Sequence, residues 1–263
     1  MKNKIIKKIT LVSISFVFLS NVSFAKENSS FDASKLMDIA GKQRMLSQRI
    51  AKDYIYVGNK IATSKADKQL KASLSEFLKI HNELAALITD AEIKNLLDFV
   101  ALSSNELKET ANKDFTLDNA HLILDLTESM LEGNQYIVDS LKEVHKLKES
   151  NLLEKAAKQR MLSQRIAKYY IAYQSGIKDQ NTVNSMKETV KQFSENLDTL
   201  LNNKNNSPEI NKKLKEIDKL WKIVHKFYNN IEKGGLPLIV FNTTDNITKK
   251  MDEVTKLYIQ KNK

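Results

Sequence analysis

The chain has no cysteine, which rules out disulfides, thiolate metal sites and thiol nucleophiles. Only two prolines and six glycines occur in 263 residues, so few positions interrupt a helix. Beyond the first 25 residues no apolar run approaches the roughly 20 residues needed to cross a bilayer. No glycine-rich phosphate loop, nucleophile elbow or catalytic dyad is present, and an enzyme is not expected. His81, His121, His145 and His225 are scattered. None belongs to an HExxH or Glu-x-x-His pattern, so neither a metal site nor a cofactor is expected. Trp221 has Leu214, Ile217, Val224 and Tyr228 around it at helical steps and reads as core.

What is present begins with a leader. Residues 1–25 carry four lysines, an apolar run from Ile9 to Leu19, and Ser23-Phe24-Ala25. That is the layout of a secretory signal cleaved after Ala25, and no cysteine follows to make a lipoprotein. The expectation is an exported, periplasmic, soluble protein. Without the leader lysines the formal charge drops from +10 to +6. An exported chain rarely meets nucleic acid, so the excess reads as a solvated, lysine-rich surface that favours anionic ligands.

From the leader onward, apolar residues recur at three- and four-residue steps, predicting helices near 31–57, 64–88, 90–112, 117–150, 151–175, 179–203, 208–233 and 237–261. The breaks are chemically marked. Gly58 and Gly176 close helices, Ser207-Pro208-Glu209 opens one, Gly234-Gly235 with Pro237 separates two, and Thr89 with Glu92 fits a capping box. The fold class expected is all-α: tandem four-helix bundles, residues 26–150 and 151–263. Neither Gly nor Pro lies between Gly133 and Gly176. One long continuous helix is therefore expected to join the bundles as a stiff rod.

The segment KQRMLSQRIAK stands at 42–52 and again, letter for letter, at 158–168. At 100° per residue, Leu36, Ile39, Ala40, Leu46, Ile50, Tyr54 and Val57, with Gln43 and Ser47, form a core-facing stripe. Asp38, Lys42, Arg49, Lys52 and Asp53 fall opposite, toward water, and Arg165 with them by equivalence. A second stripe carries Gly41, Arg44, Gln48 and Ala51, matched in the second copy by Ala157, Arg160, Gln164 and Ala167. Small residues there admit a close neighbour, and a glycine inside a helix costs about 1 kcal/mol against alanine. A guanidinium on such a surface needs a carboxylate or a bound anion. If the two motif helices face each other, Arg44 and Arg160 converge. At about 6 Å and a dielectric near 20 they repel by roughly 3 kcal/mol, which a small oxyanion between them would relieve. Tyr54 and Tyr170, just after each motif, are candidate walls for that site.

The stretch IAGKQRMLSQRIAKDY resembles the signature helix, or P box, of the NarX/PilJ-type sensor family, strongly over 36–57 and 152–173. The resemblance implies a periplasmic four-helix sensor module that binds nitrate, or nitrite more weakly, where two signature helices meet. Carried over by position, Gly41 and Arg44 bind in the first copy and Arg160 in the second, where Ala157 replaces the expected glycine. Gln48 and Gln164, one turn on, are candidate donors. It further implies a membrane chemoreceptor or histidine kinase as the partner that reads the signal. Both a site within one chain and a homodimer with two shared sites fit the repeat. The rival expectation is a non-sensing periplasmic adaptor whose motif face docks another helical bundle.

Overall fold

The computed structural model describes residues 24–146 and 151–261. Residues 1–23 of the expected leader lie outside the described residues, and the expected cleavage point after Ala25 falls at the start of α1. Among those described there are eight α-helices and no strand: α1 (Phe24–Gly58), α2 (Thr63–Leu87), α3 (Ala91–Ala111), α4 (Leu117–Val144), α5 (Asn151–Gln174), α6 (Gln180–Leu201), α7 (Pro208–Asn229) and α8 (Pro237–Lys261). A short 3-10 turn, Ile231–Lys233, precedes the Gly234-Gly235 break.

Local chemistry explains the ends. Ser207 Oγ accepts from the Ile210 amide, with Pro208 at the first helical position, as its sequence signature requires. At α3 the cap is Asp90 rather than Thr89, its carboxylate accepting from the amides of Glu92 and Ile93. A carboxylate is the stronger acceptor toward the positive helix end. Gly176 takes φ 105°, which favours glycine. Gly58 serves a different purpose: a methyl group there would lie 2.1 Å from the Phe115 ring.

The expected continuous rod is not what forms. α4 ends at Val144, and Lys146 adopts φ 48°, outside the right-handed region. Past Leu141 the helix buries little: Val144 is half exposed, and His145 and Lys146 are polar and exposed. The break allows α5 to return beside α1, an arrangement an end-to-end rod forbids.

α1 packs on α2, α4 and α5, and α5 packs on α1, α6 and α8, while α3 lies on α4 and α7 on α8. Asn59 Nδ2 donates to Ser175 Oγ at 2.5 Å, between residues 116 apart, and Arg160 meets Asp38 toward the other end. The two motif helices are therefore parallel and in register, each beside its own repeat. One hydrophobic core runs through all eight helices. Trp221 is part of it, its ring centroid 4.2 Å from that of Phe193.

A helix with neighbours on three sides has little solvent face, and this overturns the one-sided wheel drawn from sequence. Lys52, Asp53 and Lys168 are fully buried instead of solvated. Arg49 is half-buried, and Arg165 is held by Glu128.

Candidate functional site at the seam of the motif helices

The seam between α1 and α5 brings the two arginines together. A methyl group on Gly41 would stand 3.3 Å from Arg44 Nη2 and 3.9 Å from Arg160 Nη2. Both guanidinium groups thus close over the same glycine, one from its own helix and one from the neighbour. Both are almost fully enclosed, at 4% and 2% exposure. Gly41 leaves room that a side chain would take, while Ala157, its counterpart on α5, is half-buried.

Their partners differ. Arg160 Nη1 donates to Asp252 Oδ1 at 2.7 Å and its Nη2 to Asp38 Oδ1 at 2.8 Å. Asp252 comes from α8 in the same half; Asp38 comes from α1 across the seam. Both carboxylates are about one-third exposed. Burial pushes Asp252 up, but hydrogen bonds from Lys256 and Arg160 outweigh it and hold the carboxyl below its usual value. Among the partners of Arg44 is Gln135 Oε1 on α4. Gln135 and Asp252 occupy matching places on α4 and α8, so a neutral amide on one side answers a carboxylate on the other.

Gln48 and Gln164 are fully buried one turn on, but their donors are engaged inside the bundle. Gln48 Nε2 donates to the Thr127 carbonyl at 2.9 Å, and Gln164 Nε2 to Thr248 Oγ1 at 2.6 Å. Neither is aimed at the arginine pair. Tyr54 donates to the Asp114 carbonyl and Tyr170 packs edge-on against Tyr228. At ten residues, about 15 Å along a helix, from Arg44 and Arg160, the tyrosines do not wall the site.

Below the arginines the seam is tied by reciprocal ion pairs. Lys52 of α1 reaches Asp245 of α8, with Nζ–Oδ1 2.6 Å. Lys168 of α5 reaches Glu128 of α4. Glu128 and Asp245 again match in position, so each half lends a lysine to the other half's carboxylate. Burial would raise Glu128, yet Lys168 and Arg165 bring it down to about 2. Asp53 is the odd member. Its nearest cation, Lys52 Nζ, is 3.2 Å away, neither carboxylate oxygen accepts a hydrogen bond, and burial drives its pKa up to about 7.

The sequence missed Asp38, Asp252, Gln135, Glu128 and Asp245. Only Asp38 lies near the motif, and the helical wheel put it in water. The others lie 37 or more residues along the chain from the motif side chains they hold, with no local signal. Among the described residues no cluster of His, Asp or Glu is arranged to hold a metal ion.

Paired parallel motif helices, buried at the centre with arginines meeting at a glycine, define a class: all-helical bundle proteins built on a repeated motif helix. The family described as Type IV pili methyl-accepting chemotaxis transducer N-term (PilJ) matches residues 28–96 and 146–244. The match takes in both motif helices and more than half of the chain, and the chain belongs to that family. No curated protein and no solved structure matches it. Among the described residues no helix is long and apolar enough to cross a membrane.

Proposed function

We propose that the protein is a periplasmic sensor that binds nitrate or a similar small oxyanion between α1 and α5 and reports to a membrane chemoreceptor or kinase. Residues 26–150 and 151–263 act as two modules of one sensor, and the site is built within the chain from one motif of each. The observation that carries this reading is the meeting of the Arg44 and Arg160 guanidinium groups at Gly41. Two always-charged, enclosed groups offer a planar oxyanion paired donors from both sides.

Binding is an exchange of anions. Asp38 reaches Arg160 across the seam from a partly exposed position, so an incoming oxyanion replaces a carboxylate that water readily takes back. Asp252 stays on Arg160, and Gln135 stays on Arg44. The release of Asp38 changes a contact between the two halves, so ligand binding and the apposition of α1 and α5 are coupled. Gly41 keeps the approach open; Ala157 makes the α5 side narrower.

Thermal melting in millimolar nitrate, nitrite, chloride and sulfate tests the reading. Nitrate is expected to raise the melting temperature selectively, with nitrite weaker. A hundredfold excess over Kd is worth about 2.7 kcal/mol. Arg44→Ala is expected to abolish the response. Equal shifts with all four salts would point to screening of a basic protein and sink the proposal.

A further inference from the structure

The repeat places arginines at the equivalent positions 49 and 165, and their surroundings diverge. Arg165 is closed in. Its Nη2 lies 2.5 Å from Glu128 Oε2, its Nε donates to Glu128 Oε1 at 3.2 Å and its Nη1 to Thr189 Oγ1 at 3.2 Å, with the Tyr169 ring 5.4 Å away. At Arg49 the matching carboxylate, Asp245, is taken by Lys52 at 2.6 Å and by Gln69 Nε2 at 2.8 Å. Asp53 stands where Tyr169 stands, so the ring that lies against Arg165 has no counterpart at that position. Arg49 Nε and Gln69 Oε1 are buried and bond to nothing. Beside them opens a cavity of about 370 Å³ whose wall includes Arg49, Lys65, Gln69, Asn242, Asp245 and Lys249.

We propose that this cavity binds a small organic carboxylate, at a site separate from the arginine pair. Asp245 is shared by Lys52 at 2.6 Å and Lys65 at 3.5 Å, so with Arg49 and Lys249 the cations outnumber it and leave the wall positive. The planar guanidinium of Arg49 presents the fork that matches a carboxylate. Gln69 Nε2 and Asn242 Oδ1 are engaged by Asp245 and Lys65, which leaves Gln69 Oε1 as an acceptor and Asn242 Nδ2 as a donor for a hydroxyl or second polar group on the ligand. The volume lies within the range of roughly 300–1,000 Å³ typical of small-molecule pockets, generous for a four-atom oxyanion. Arg49, Lys65 and Gln69 belong to α1 and α2, while Asn242, Asp245 and Lys249 belong to α8. A carboxylate bound here therefore bridges the two halves and favours their apposition, whether or not nitrate is the ligand at Gly41.

Titration calorimetry of the full chain with acetate, succinate and L-malate, against phosphate and nitrate, is the test. Succinate or malate is expected to bind. Arg49→Gln is expected to weaken that binding at least tenfold and Lys249→Gln, at the rim, severalfold. Arg44→Ala is expected to leave it unchanged. Melting curves without ligand report whether each variant is folded, and Lys249→Gln decides the matter if Arg49→Gln is not. The proposal is overturned if none of the three carboxylates binds, or if phosphate binds as well as they do. It is equally overturned if binding survives the arm that decides, or is lost in folded Arg44→Ala.

Discussion

α1 and α5 share eleven consecutive residues, lie parallel and in register, and still differ in nearly every charged contact. Arg44 bonds to an amide where Arg160 bonds to a carboxylate. Arg165 is clasped by Glu128, whereas Arg49 stands beside a cavity. Lys168 has the ring of the next residue, Tyr169, 4.4 Å away, whereas the residue after Lys52 is an aspartate and its ring, Phe241, comes at 4.4 Å from α8. The repeated segment fixes what each helix brings to the seam. The flanking helices, free to diverge, decide which charges are satisfied by the protein and which are left to meet something else.

The comparison can be broken most forcefully at its ion pairs. Glu128→Ala strips Lys168 and Arg165 of their shared carboxylate, and an uncompensated buried charge costs about 3 kcal/mol or more. Asp245→Ala should cost roughly half as much, because Lys52 keeps Asp53 at 3.2 Å. Urea denaturation at pH 7 measures both. Equal losses would mean that the two ties are interchangeable.

Asp53 provides a contrast in pH. Its folded pKa, about 7 against an ordinary 3.8, makes ionisation a penalty carried by the folded state. That penalty is absent below about pH 4 and grows until the group has ionised above pH 7. Wild-type stability should thus fall by roughly 3 kcal/mol between pH 5 and pH 8 through this group. Asp53→Asn is expected to flatten that slope, as followed by denaturation midpoints across the range. An unchanged slope would place the titration elsewhere.

The matched arginines give a smaller difference. Arg165→Gln should cost about 1.5 kcal/mol, the worth of hydrogen bonds to a charged partner, while Arg49→Gln should change stability by less than about 0.5 kcal/mol. The smallest effect belongs to Gly41→Ala. Helix propensity favours alanine by up to about 1 kcal/mol, and the crowding falls on the movable end of Arg44. Stability should hold or rise slightly while the oxyanion response weakens. A response left intact would show that the α1 side needs no more room than Ala157 leaves on α5.

Much of the fold was legible because each helix carries its own signals. Apolar periodicity, Ser207-Pro208 and the Gly234-Gly235 break put most boundaries within two or three residues of those observed. The junction at Val144 was not, since the expectation rested on the absence of Gly and Pro; a helix also stops where its buried face runs out. The wheel of the motif failed for Lys52 and Asp53 because it assumed one packed side, and α1 has three. Within the site, the need of Arg44 and Arg160 for anionic company was readable from their place between small residues. That Asp38 and Asp252 supply part of it was not, because those contacts depend on how the two halves dock.

The central claim is that two copies of one motif build a single oxyanion site. Calorimetric titration of nitrate into wild type, Arg44→Ala and Arg160→Ala tests it most directly. The account predicts one nitrate per chain in the wild type and none in either folded variant. Two nitrates per chain, or binding that persists when one arginine is removed, would contradict it.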